Sequence, residues 1–490
     1  MFHSTSPAFN PPLRTLILWA MDHFIYTDGR LHCEGVDLID LASHVGTPTY
    51  VYSRATLLLH HHRLAQAFAP LKPLICYSVK SCSNISILRL LVEAGAGMDV
   101  VSGGELYRAR LAECEPDRIV YAGVGKTTEE IADALGEGDE HVWGVSPSTP
   151  GAASTNPLAT AFSRPPTGGT IGLFNIESEQ EFQAIANIAE ALGKRTTAAL
   201  RVNPDVDPIT HKHTTTGTAE SKFGVDLRRA REFLRHYSGH SHVRLSGIHI
   251  HIGSPVATTA PYVEAITRVL ALIDDLAKDG VIIDTLDIGG GFAADYRTGQ
   301  SLNAADYAAA IVPLLIDRVG SGKLKIILEP GRFISANAGV LLTRVQYVKS
   351  SGVKKFIICD AGMHTLIRPA LYEAFHFIWP ANISPQHEPP EGVRSDLLDL
   401  PGLEKCDVVG PICESADFLC QDRALPPVAR GDLLAVFTAG AYGMSMASRY
   451  NSHPMPAEVL VDEIRSTLIR RRETYTDLVQ HELEPRDVEG

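Results

Sequence analysis

A chain of 490 residues exceeds one ordinary domain, and its 45% hydrophobic content supplies enough apolar side chain for two cores. The net charge of −13 is spread along the chain without a basic stripe, which excludes the usual nucleic-acid surface. The eight cysteines show no C-x-x-C spacing, and no early apolar run is long enough to cross a bilayer, so a reduced, cytoplasmic protein with no membrane or nucleic-acid partner is expected.

The segment 1–52 opens with a frayed stretch. It continues with a strand, an Asp28-Gly29 turn and a second strand over 24–31, a short helix at 38–45 and a strand at 48–52. From about 53 to 335 helices and short apolar strands alternate. The helices fall at 55–69, 85–94, 104–113, 127–135, 178–192, 227–237, 260–278 and 303–319. The strands fall at 75–80, 98–101, 119–121, 172–175, 198–202, 247–251, 285–288 and 325–328. Eight βα units with near-continuously apolar strands predict a parallel sheet closed into a (β/α)8 barrel. The Pro-, Ser- and Gly-rich stretch 138–168 reads as a surface insertion between the third and fourth strands. After 335 the pattern turns to alternation at 339–349, 355–359, 432–438 and 458–461. With the N-terminal segment these strands predict a second, β-rich domain over 336–480, with a terminal helix at 463–480 and a disordered tail at 481–490.

A barrel of this kind carries its active site at the C-terminal strand ends. Lys80 follows the first strand. Burial there is expected to lower the ammonium pKa and free the amine for Schiff-base chemistry, although a strand-end lysine also snorkels to water. His251, Gly253 and Ser254 follow the sixth strand, Gly289-Gly290-Gly291 the seventh, and Glu329-Pro330-Gly331-Arg332 the eighth. The triple glycine and Gly331 stand where barrels bind phosphate. Glu329 suits either a protonated pyridine nitrogen or an ion pair with Arg332. His251 suits a flat cofactor or a core cap. Together a lysine, a phosphate cradle, a buried carboxylate and a stacking ring are the parts of a pyridoxal 5'-phosphate site. His211 and His213 read as members of a solvated loop, and no metal site is expected.

These residues carry a family resemblance. Tyr77-Ser78-Val79-Lys80, Asp99 through Glu105, Arg201-Val202-Asn203-Pro204, Ser221-Lys222-Phe223-Gly224 and His251-Ile252-Gly253-Ser254 belong to it. So do Asp287 through Gly291, Glu329 through Arg332, Ile367 through Tyr372, Gly410 through Ser415 and Gly440 through Gly443. In these motifs the chain resembles the barrel-fold, fold-type III pyridoxal phosphate amino-acid decarboxylases. The resemblance implies that Lys80 carries the cofactor covalently, that His251 stacks on its ring and that Glu329 pairs with its nitrogen. It implies that Asp99, Ser254, Gly289, Gly290, Gly291, Gly331, Arg332 and Tyr442 complete the cofactor site. It also implies that Cys413 returns a proton to the substrate from the neighbouring subunit, in a head-to-tail homodimer. Arg332, Arg368, Tyr372, Glu414 and Tyr442 match the substrate contacts, a set suited to an amino acid with a second amino-acid end.

The chain departs from the family pattern at three places. Ser81-Cys82 replace Ala-Asn, Pro255 stands where glutamine is common, and His453 takes an arginine position. Two alternatives keep the resemblance: a decarboxylase of ornithine, arginine or a carboxylated polyamine, and a catalytically inactive regulatory homologue. A buried structural thiol is the alternative for Cys413.

Overall fold

The computed structural model describes residues 21–137, 169–207 and 222–483. The insertion at 138–168, the residues 1–20, His211, His213 and most of the tail lie outside the described residues.

Eight parallel strands close on themselves. They are β1 (Leu74–Ser78), β2 (Gly97–Val100), β3 (Ile119–Tyr121), β4 (Leu173–Ile176), β5 (Thr196–Asn203), β6 (Val243–His249), β7 (Thr285–Asp287) and β8 (Lys325–Leu328). Each pairs with the next, and β8 pairs back onto β1 through Ile327–Leu74 and Leu328–Ile75. Cys76, Val120, Leu173, Ala199 and Ile327 form a separate buried cluster drawn from five of these strands. The barrel centre is therefore a packed core with its working surface at one rim. The surrounding helices start where the sequence offers a capping side chain. Ser53, Asn84, Ser102, Ser178, Asp226 and Asn303 each accept from a backbone N–H in the first turn.

Two strand ends differ from expectation in a way that shapes the site. β1 stops at Ser78, and Val79–Ser81 form one 3-10 turn, which Ser81 Oγ closes by donating to the Ser78 carbonyl at 2.8 Å. β6 stops at His249, so His251 lies beyond the ladder. Lys80 and His251 thus stand on the rim rather than inside the barrel.

The second sheet runs Phe418–Leu425, Glu404–Val409, Lys354–Cys359, Gly339–Ser351, Thr49–Ser53, Ala457–Asp462 and Arg465–Arg470. Leu433–Val436 joins Gly339–Ser351 to Ile378–Pro380. The helix expected over 463–480 is largely absent. Arg465, Ser466, Thr467, Leu468 and Arg470 instead pair with the strand before them, and only Tyr475–Val479 is helical. The β-prone run finds a hairpin partner across Glu463, whose φ is 54°. The hairpin expected near the start exists as Phe24–Thr27 and Arg30–Cys33. Positive φ at Asp28 (50°) and Gly29 (77°) explains why its turn is Asp-Gly.

Asp22 and Arg394 fasten that hairpin to the distant chain. Both are buried, and Arg394 donates two bonds to the carboxylate while its guanidinium lies 4.2 Å from the Phe437 ring centroid. Asp22→Ala strands a buried cation and is expected to cost about 3 kcal/mol. Denaturant unfolding should show a lower midpoint, with Asp22→Asn intermediate.

Candidate active site

Lys80 Nζ lies 2.9 Å from Asp99 Oδ2, and Ser78 Oγ donates to the same oxygen at 2.6 Å. The register puts Asp99 directly opposite Ser78 on β2, which is how the sequence delivers a carboxylate to the lysine. The expected depression of the Lys80 pKa is not found. Burial pulls it down, but Asp99, Tyr442 and Glu329 outweigh burial and the net movement is upward. Lys80 is held as an ammonium, paired rather than snorkelling. Burial, followed by Glu329, pushes the Asp99 carboxyl up against the opposing pull of Lys80.

Glu329 is 4% exposed at the end of β8. Asn175 Nδ2 donates to it at 3.1 Å and to Asp287 at 3.0 Å, while His249 Nε2 approaches Glu329 to 3.4 Å. Burial raises the Glu329 pKa, but His249, Lys80 and the hydrogen bond from Asp287 carry it well below the usual range. Asp287 moves the other way, pushed well up by burial and by Glu329. The pair is driven apart, Glu329 toward its charged form and Asp287 toward its neutral one. His249, Asp287 and Glu329 bring one ligand atom each within 4.8 Å of one another, the one such group among the described residues. Glu329 is not the ion-pair partner of Arg332, whose hydrogen bonds run to Ser254 and Tyr296.

His251 Nδ1 accepts from the Gly290 N–H at 3.2 Å, so that nitrogen carries no proton. Burial, then Arg201 and Lys80, hold the imidazole well below its usual pKa, and the ring is neutral. The Gly289 N–H is also used, by Asp287 Oδ1 at 2.9 Å. The three glycines therefore do not offer three amides to an anion. Gly289 and Gly290 shape the turn, for a Cβ on Gly290 would meet the Glu329 carbonyl at 2.1 Å. Among the described residues no acceptor is found for the Gly291 N–H.

A cavity of about 380 Å³ opens over this rim, lined by Lys80, Ser254, Pro255, Tyr296, Arg332, Arg368, Tyr372 and Tyr442, among others. Arg332 Nε donates to Ser254 Oγ at 3.2 Å and Nη1 to Tyr296 Oη at 2.8 Å. Tyr442 is placed by its N–H, which donates to the Ser81 carbonyl at 2.7 Å, and its ring centroid lies 4.9 Å from the Arg332 guanidinium. Gly331 packs tightly between Ser78 and Ser81. Cys413 and Glu414 do not line this cavity. Cys413 is the single exposed cysteine of eight, against the alternative of a buried thiol. Glu414 accepts a short hydrogen bond from Tyr450.

Of the three departures from the family pattern, only Pro255 borders the Lys80 cavity. Cys82 is packed in the core, and His453 lies tilted against His364, ring centroids 4.6 Å apart, in a different cavity of about 410 Å³. Sequence reasoning passed over His249, Asn175, Asp287, Tyr296 and His376 as site residues. His249 and Asp287 were within reach, as polar residues ending apolar barrel strands.

A barrel rim with a paired lysine, an ionised buried carboxylate and a neutral imidazole defines the class reported by the family comparison. The model described as "Pyridoxal-dependent decarboxylase, pyridoxal binding domain" matches residues 54–143 and 166–336. The diaminopimelate decarboxylase of Aquifex aeolicus is 42% identical over 459 residues, covering 94% of this chain and 97% of its own. Crystal structures of diaminopimelate decarboxylase complexed with L-lysine match as well. The one from M. jannaschii has TM-score 0.80 at 33% identity over 95% of this chain and 98% of its own. The one from Helicobacter pylori has TM-score 0.77 at 34% identity over 91% and 99%. The chain belongs to the pyridoxal-dependent decarboxylases, in the branch formed by the diaminopimelate decarboxylases.

Proposed function

We propose that this chain binds pyridoxal 5'-phosphate at the barrel rim and decarboxylates meso-2,6-diaminopimelate to L-lysine. The observation that carries the substrate is a pair of cations. Arg332 and Arg368 are each 6% exposed, line one cavity and have no carboxylate among their hydrogen-bond partners in the described residues. Two buried guanidiniums without a counter-charge call for an anion on the substrate's far end. Ornithine, arginine and polyamines bring none.

The residues present fit the cofactor. Lys80 would attach it, Glu329 would face its ring nitrogen and His251 would lie against its ring. Ser254, whose oxygen accepts from Arg332 and whose proton is then free to donate, would hold the phosphate with Gly291, Gly331 and Tyr442. When bound, pyridoxal phosphate supplies the electron sink for the pair left behind by carbon dioxide. Glu329, biased toward its charged form, would favour a proton on the ring nitrogen of the bound group. Asp99 Oδ2 is the acceptor placed to take a proton from Lys80 Nζ. The Cys413 thiol, exposed and outside its own chain's cavity, supports delivery of the final proton to a neighbouring subunit in a homodimer. Glu414 travels on the same loop and suits the substrate's distal ammonium. Unpaired cysteines support a reducing, cytoplasmic setting, and no helix among the described residues is long and apolar enough to cross a membrane. The working units are taken as the barrel, 53–335, and the β domain, 336–480 with 1–52.

A decarboxylation panel tests the substrate. Meso-diaminopimelate should be turned over to lysine, with ornithine, arginine and a carboxylated polyamine far slower; a preference for ornithine would reject the assignment. Cys413→Ala should retain cofactor and lose turnover on the order of a hundredfold. Mixing it with Lys80→Ala tests the shared site, because mixed dimers hold one intact site and should recover up to about a quarter of wild-type activity. No recovery after verified subunit exchange would place Cys413 in its own chain's site.

A further inference from the structure

Like-charged guanidiniums in one cavity repel, and something must hold them together. Tyr296 lies between Arg332 and Arg368. Its oxygen accepts from Arg332 Nη1 at 2.8 Å, and its ring centroid is 5.9 Å from the Arg332 guanidinium carbon and 5.2 Å from that of Arg368. Burial alone would make the phenol less acidic, yet the two arginines reverse this and its pKa falls. Since the oxygen accepts from Arg332, the phenol's own hydrogen is left to donate toward the cavity that Tyr296 lines.

His376 stands behind Arg368 and is fully buried. Its Nδ1 lies 3.0 Å from the Phe437 carbonyl, which can only accept, so Nδ1 carries the hydrogen. Nε2 is then a bare acceptor, and Arg368 Nε donates to it at 3.4 Å. The imidazole also meets the Tyr296 ring edge to face, with centroids 5.5 Å apart and planes at 87°. A protonated histidine would repel Arg368. Burial and the arginine push its pKa down to about 3, so it stays neutral. With Nε engaged, Arg368 keeps its two terminal nitrogens for a ligand.

We infer that Tyr296 and His376 join Arg332 and Arg368 into one clamp for the distal carboxylate of the substrate, His376 as a positioning residue and Tyr296 as a binding residue that also supplies a third donor. This inference rests on the proposed decarboxylation of an amino acid that carries such a carboxylate. It assigns selectivity to a tyrosine on the loop after β7 and to a histidine contributed by the other sheet's connection.

The test compares wild type, Tyr296→Phe, His376→Ala and His376→Gln as full-length holoenzymes, with steady-state kinetics on meso-diaminopimelate and inhibition by pimelate. Tyr296→Phe keeps the ring and removes the acceptor, and His376→Gln can present an amide oxygen to Arg368. KM and the pimelate inhibition constant should both rise about tenfold in Tyr296→Phe and His376→Ala, the scale of one lost hydrogen bond to a charged group. The kcat and the visible cofactor band should change little, and His376→Gln should recover most of the loss. Unchanged KM and pimelate inhibition in both variants would overturn the inference, as would equal losses in kcat and cofactor content without a KM effect. If His376→Ala does not fold, Tyr296→Phe and His376→Gln decide alone: unaltered pimelate inhibition in Tyr296→Phe rejects the clamp. Failure of wild type to use diaminopimelate would instead reject the proposed function.

Discussion

Lys80→Ala is expected to abolish covalent retention of the cofactor and to lower kcat at least about a thousandfold, since on the proposed reading one side chain would serve as nucleophile and anchor. Dialysis followed by visible absorbance measures the first effect, and borohydride reduction followed by peptide mapping should place the wild-type label on Lys80. The substitution leaves Asp99, which is fully buried, without its cation. A loss of activity could therefore be blamed on a damaged rim. Lys80→Arg separates the two causes: it restores the ion pair with Asp99 but provides no nucleophilic amine at working pH. Stability should return in Lys80→Arg while activity does not. A Lys80→Ala protein that keeps its colour after dialysis and turns over substrate near the wild-type rate would refute the anchor.

The second large effect concerns two carboxyls that look alike in the sequence. Glu329→Gln should reduce kcat by roughly a thousandfold, because on the proposed reading it removes the charge that would keep the ring nitrogen protonated. Asp287→Asn should cost at least about ten times less, since burial and Glu329 already push Asp287 toward its neutral form. The pH behaviour follows from the signs. The folded Glu329 pKa lies below its unfolded value, so its stabilising contribution is present above the ordinary glutamate range. That contribution is lost only as pH falls through the depressed value. Asp287 is raised, so its contribution is complete below the ordinary aspartate value and fades as pH rises through the elevated one. An acid limb in the kcat profile at moderate pH therefore reports another group. Equal losses in the two variants would contradict the split.

The barrel was legible because its strands are short apolar runs with helices between them, and because a strand end predicts a rim position. Lys80, Glu329 and Gly291 followed from that rule. What the sequence did not show is long-range pairing. The state of Lys80 depends on Asp99 across the β1–β2 register, and that of Glu329 on Asp287, Asn175 and His249, from three other strands. No local pattern announces which of two acids keeps the proton. The terminal helix was misplaced for a similar reason: Arg465–Arg470 became a strand because a partner was adjacent. Tyr296 and His376 sit in irregular segments, where periodicity carries no signal.

The position of Thr49–Ser53 has a consequence for how the chain is made. This strand is buried on both faces, between Gly339–Ser351 and Ala457–Asp462. Synthesis runs from the N-terminus, so the strand leaves the ribosome early, while both partners arrive only after the whole barrel sequence. For that interval its hydrogen-bonding edges and apolar side chains have no native cover, and they are open to pairing with other chains. The barrel can close in the meantime, since its strands span only Leu74–Leu328. Assembly of the second sheet is then a late event, and the arginine and tyrosine that follow it in space, Arg368 and Tyr442, reach the lysine last.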